Sequence, residues 1–173
     1  DSIIDRTISG LAGFATDAPI FVTGGLAGGA VAREAVKFGL KAIIERAAAR
    51  FEKRPRVYFE EWNDPLISGI GWVAKLIRIA GGDDSFPELA REPGAKQRII
   101  ADPAEVARRA PDIIIGSWCG KKFQPRDVAA RPGWVEIPAV RHGRIYEIKS
   151  PDILQPGPAA LTDGVRQLHD IIA

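Results

Sequence analysis

Two short stretches hold most of the side chains able to do chemistry. "EEWNDP" (Glu60 to Pro65) and "GSWCGKKF" (Gly116 to Phe123) each place a tryptophan just past an apolar run, with polar or charged residues next to it. An indole offers a broad, rigid apolar face and one N–H donor, which suits a flat ligand. Lys121 and Lys122 add positive charge for ligand carboxylates, amides or phosphates. Asn63 and Asp64 add hydrogen-bonding groups. Gln155, in the proline-rigid "ILQPGP", is a further candidate for the same surface. Each has a plainer account: Trp62 and Trp118 as core or lid residues, the lysines as a solvated loop. Trp72 falls on the apolar face of a helical pattern and reads as core. Trp134, after Pro132-Gly133, is expected to pack on the domain surface.

Catalysis and metal binding find less support. Cys119 has no histidine near it in sequence, and a small residue in a tight turn accounts for it. His142 precedes Gly143 in a turn-like "RHGR", and His169 sits beside Leu168 in the last helix. Glu60 and Glu61 are adjacent on a strand and point to opposite faces, so they make a poor acid–base pair. Hydrogen bonding of this acidic cluster, with Asp64, to ligand amides or to the long helix is expected instead. The glycine-rich "VTGGLAGG" lacks GK[ST] and departs from GxGxxG, so a tight strand-to-helix turn is favoured over nucleotide binding. No enzyme, no resident cofactor and no metal site is expected.

The elements that would position these residues alternate between strand and helix. The chain has 173 residues, enough for one substantial core. A net charge of +2 gives no pull toward nucleic acid or anionic lipid. One cysteine excludes an intrachain disulfide, and no apolar run approaches the ~20 residues of a membrane span. Three units are read: an unassigned segment 1–28 with a helix and a short strand, a long helix 29–54 stopped by Pro55, and an α/β unit 55–173. Within the last, "RVYFEEW", "DIIIGSW" and "GRIYEI" read as strands. Ile99-Ile100 reads as a minimal strand, and "NDP" as a turn. "PLISGIGWVAKLIRIAGG" reads as a helix closed by Gly81-Gly82, and "DPAEVARRAP" as a short helix with Asp102 at its cap. A short helix is expected near Asp127 to Ala130. The last helix, Pro158 to Ile172, should turn Leu161, Val165, Leu168 and Ile172 inward. "DIIIGSW" has no polar alternation, the mark of burial on both faces. The expected fold class is α/β, a mostly parallel sheet flanked by helices in a Rossmann-like lobe, preceded by a long helix. Ligands of such sheets meet the carboxyl ends of the strands, where Trp62 and Trp118 are expected to reach solvent together.

The stretches "RPRVYFEEWNDPLISGIGWVAKLIRIAGG", "APDIIIGSWCGKKF", "RPGWVEIPAVRHGRIYEI" and "LQPGPAALTDGVRQL" resemble, in order and spacing, the C-terminal lobe of periplasmic substrate-binding proteins of ABC importers. They are most similar to the vitamin B12 (cobalamin) binders, whose relatives take iron–siderophore complexes and haem. The resemblance implies two α/β lobes joined by a rigid helix, which residues 29–54 suit, with the ligand held between the lobes. It implies transported cobalamin, or haem or an iron–siderophore, as ligand, with Trp62, Asn63, Asp64, Trp118, Lys121, Lys122 and Gln155 around it. It further implies a periplasmic or extracytoplasmic location, any signal peptide being already removed, and a membrane permease as partner. An exposed acidic residue on each lobe meets the permease in such proteins. Glu105 is nearest to that place, and a first-turn helix carboxylate accounts for it equally well. Residues 1–28 depart from the family pattern, which has a whole lobe there. The alternative is therefore an isolated or recombined, non-binding lobe that self-associates as a homodimer covering the open cleft face.

Overall fold

The computed structural model describes residues 51–173 continuously and, before them, residues 39, 42, 44–46, 48 and 49. Residues 1–28, the glycine-rich "VTGGLAGG" and most of the expected 29–54 helix lie outside the described residues. Residues 39, 42, 44–46 and 48 are helical. Ala49 is already in a turn and 51–55 is not helical, so the helix ends short of the expected boundary at 54.

Among the described residues five strands form one sheet in the order β2-β1-β4-β5, with β3 pairing the start of β1. They are β1 (Arg56–Asn63), β2 (Leu66–Ser68), β3 (Asp83–Asp84), β4 (Ile113–Gly116) and β5 (Ile145–Glu147). β1–β3, β1–β4 and β4–β5 are parallel, and β1–β2 is antiparallel. The helices are α1 (Gly71–Ala80), α2 (Ala104–Arg109), α3 (Pro125–Ala129), α4 (Pro138–Arg141), α5 (Ser150–Ile153) and α6 (Val165–Ile172). The period-2 alternation of the strands divides the core. Val57, Phe59, Ile113 and Ile115 face α1, α5, α6 and Ile44. Tyr58, Ile114 and Ile145 face Phe86, Val106, Val128, Trp134 and Ile137. With apolar groups on both sides, all four residues of β4 are buried, as the unbroken run "IIIG" requires.

Several expectations are corrected. The segment read as one helix from Pro65 is a strand, β2, followed by helix α1. Leu66, Ile70, Val73 and Ile77 happen to step by four, three and four. The backbone instead turns back on β1, pairing Asn63 with Leu66, and Gly69 N–H donates to the Phe59 carbonyl at 3.1 Å. Gly82 N–H closes α1 onto the Ile77 carbonyl, as expected. Asp102 also behaves as expected, its carboxylate accepting the Ala104 N–H at 3.0 Å. "RHGR" is the turn that follows the end of α4, with only Arg141 inside the helix. Leu161 is 42% exposed, because a π-helical turn at Ala160–Gly164 shifts the register and buries Ala160 and Gly164 instead. Trp134 is fully buried, not on the surface; its ring meets Tyr58 edge-on at 6.0 Å and lies under the Arg131 guanidinium.

Asp84 in β3 gives a pH signature. Its carboxylate accepts the Phe86 N–H at 3.2 Å, and burial pushes its pKa from 3.8 up to about 6. The folded value is the higher one, so the folded protein binds this proton more tightly. The contribution is complete below about pH 4 and is lost as pH rises through 6. Asp84→Asn keeps the acceptor oxygen and removes the charge. It is expected to stabilise the protein at pH 7 by about 1–2 kcal/mol and to flatten the wild-type decline between pH 4 and 7. Urea unfolding of both proteins across that range measures the difference; equal slopes would contradict it.

Candidate functional site

The carboxyl ends of β1 and β4 bring four of the expected residues together. β1 carries a bulge between Glu60 and Trp62, which re-aims the residues that follow. Trp62 is half-buried, its indole N–H donating to the Asp64 carbonyl at 2.9 Å. β4 ends at Gly116, where any Cβ would fall 2.0 Å from the Phe123 ring, so the loop can fold back only over a glycine. That loop turns at Gly120, with φ +71, and presents Lys121. The Lys121 ammonium donates to Asn63 Oδ1 at 3.0 Å and stands 5.8 Å from the Trp62 ring and 5.6 Å from the Trp118 ring. A cation at that range is attracted to the indole face.

Trp118 differs from expectation. It is 6% exposed, with Phe123 edge-on at 4.8 Å and its indole N–H donating to Glu60 Oε1 at 3.0 Å. It supports the edge and offers no open face, because the returning loop covers it. Trp62 and Trp118 do lie at the same end of the sheet. Lys122 and Gln155 are exposed, and neither joins the Trp62–Asn63–Trp118–Lys121 group. Asp64 is exposed at its rim. Cys119 is exposed. His169 is buried against Phe51 with its Nδ1 3.0 Å from the Ala80 carbonyl oxygen. His142 is exposed beside Pro55 and Asp112, at the other end of the sheet. Trp72 is part-buried, its N–H donating to the Ile153 carbonyl.

The acidic cluster is also not what its sequence suggests. Glu60 is fully buried, and four donors hold it. Arg131 gives two, at 2.6 and 2.8 Å, Trp118 gives one, and the Tyr58 hydroxyl gives one at 3.1 Å. Burial, then the Glu60 charge, pushes the Tyr58 phenol well above its ordinary pKa, so it stays a donor. Glu61 is held by Arg98, which is 2% exposed, at 2.6 and 3.2 Å. Neither glutamate is available to ligand amides or to the long helix. Arg131 and Arg98 have no signature in the sequence that would mark them as partners, since they lie 71 and 37 residues away. Glu105 lies apart on α2, 34% exposed. Hydrogen bonds from Arg109 and then Arg108 hold its carboxyl below the usual range. Among the described residues no group of three or more His, Cys, Asp and Glu could hold a metal ion, and no helix is long and apolar enough to cross a membrane.

The family model described as "Periplasmic binding protein" matches residues 23–151. The chain belongs to the periplasmic binding protein family. A comparison with the curated proteins finds no match. Among solved structures, a possible iron-binding periplasmic solute-binding protein of Staphylococcus epidermidis superposes with TM-score 0.69 at 20% identity, over 83% of this chain and 54% of that one. S. aureus IsdE, solved with heme, gives 0.60 at 21%, over 78% and 54%. The vitamin B12 binding protein BtuF of Vibrio cholerae gives 0.59 at 17%, over 80% and 51%. The fold is therefore that of a periplasmic binding protein lobe, and the chain spans about half the length of these solved proteins. Family and neighbours are binding proteins rather than enzymes.

Proposed function

We propose that this chain contributes one face of the site for a large metal-chelate ligand, with cobalamin as the leading candidate and haem or an iron–siderophore as the alternatives. The ligand would be cargo and not a cofactor, delivered to an ABC permease from the extracytoplasmic side. The observation that carries this reading is the half-buried Trp62 ring beside the Lys121 ammonium, where β1 and β4 end. A flat apolar ring system can stack on the one, and polar substituents at its rim can meet the other. Lys122, Gln155 and Asp64, all exposed, would extend that rim in this reading. Glu105 would be the permease contact, and docking would exchange its Arg108 and Arg109 partners for the permease's own cations.

Tryptophan fluorescence during titration with cyanocobalamin, haemin and ferrichrome tests this. At least one should quench saturably at tens of micromolar, and Trp62→Ala should weaken it about tenfold, equivalent to ~1.4 kcal/mol. Absence of saturable quenching by all three, or equal affinity in the variant, would overturn the assignment.

A further inference from the structure

A second feature adjoins the Trp62–Lys121 edge and differs from it in charge. A cleft of about 450 Å³ shares Asn63 with that edge and opens between the β1–β2 turn and the chain leading into α2. That volume lies in the ~300–1,000 Å³ range of small-molecule sites. Pro65, Leu66, Ile99, Ile100, Pro103 and Pro132 give it apolar walls. Arg131 also lines it, but Glu60 holds that guanidinium through two hydrogen bonds, so it brings no net positive charge. Asp64 stands exposed on the rim, and its carboxylate has no partner among the described residues. With the Arg131–Glu60 pair neutral, Asp64 leaves the cleft with one negative charge, whereas Lys121, which does not line it, makes the adjoining edge at Asn63 positive.

The geometry points to a cleft that takes an apolar arm ending in an ammonium or other hydrogen-bond donor, and that rejects the same arm ending in a carboxylate. The walls bury the methylenes, and the Asp64 carboxylate accepts from the terminal donor. The biological use of this subsite rests on the ligand-edge reading above. A ligand lying across Asn63 would place acceptor substituents toward Lys121 and a donor-bearing arm in the cleft. That favours chelates carrying amides or an alkylammonium over those whose only polar substituents are carboxylates.

The test uses the full chain and small probes that do not need the edge. Methyl spectra of isotope-labelled protein are recorded with pentan-1-amine, pentan-1-ol and pentanoate. The amine should shift the Leu66, Ile99 and Ile100 methyls saturably at ~1–10 mM, as expected for so small a ligand. The alcohol should bind more weakly and pentanoate should leave these signals unmoved. Asp64→Asn should weaken the amine about two- to fivefold, the range for one exposed charge, and leave the alcohol unchanged. Equal shifts by amine and pentanoate, no shift by the amine, or an amine affinity indifferent to Asp64→Asn would each overturn the inference. The methyls report this cleft and the Trp62 indole reports the edge, so failure of one is distinguishable from failure of the other.

Discussion

Arg131→Met is expected to destabilise the protein by about 3–5 kcal/mol. Glu60 has no exposed surface, and its carboxylate is matched by a bidentate guanidinium and two neutral donors. Removing the guanidinium leaves a buried charge with Tyr58 and Trp118 as its remaining donors among the described residues, which the interior does not tolerate. Against a typical total of ~5–15 kcal/mol this is a large fraction. Adding Glu60→Gln should recover part of the loss, because the orphaned charge disappears. The pair Glu60→Leu with Arg131→Met should recover less than the glutamine pair, because leucine leaves the buried Tyr58 hydroxyl and Trp118 indole N–H without an acceptor. Urea unfolding of the three variants reads this directly. A loss below about 1 kcal/mol for Arg131→Met would mean that the pair is well solvated and does not anchor the strand end.

Trp118→Ala is the second large effect, expected at about 3–5 kcal/mol. The indole is 6% exposed, packs on Phe123 and shares the Glu60 carboxylate with Arg131. Trp118→Phe retains most of the volume and loses the N–H, so it should cost less, about 1–3 kcal/mol for a hydrogen bond to a charged acceptor. The same variant separates support from contact. With no open face, Trp118→Phe should change ligand affinity by less than about twofold, where Trp62→Ala changes it about tenfold. An equal loss in both would return Trp118 to the role of a direct contact.

What could be read from the sequence follows the range of the interactions involved. The strand "IIIG", the Gly81-Gly82 stop and the Asp102 cap are local patterns, and the structure has them where expected. The placement of Trp62 and Trp118 at one end of a parallel sheet followed from topology alone. β2 was hidden because three residues of strand imitate the period of the helix after them. Helical spacing turns Leu161 inward, but a π turn changes the period without changing composition and leaves it exposed. The burial of Trp118 and Glu60 depends on Arg131 and Phe123, and a pairing across 71 residues leaves no trace in spacing.

The most direct test of the ligand edge is an indole N–H spectrum of the four tryptophans while cyanocobalamin, haemin or ferrichrome is added. Trp62 should move first and farthest, Trp118 should follow weakly through Lys121, and Trp72 and Trp134 should stay in place. Shifts centred on Trp72 or Trp134, or none at saturating ligand, would contradict the account.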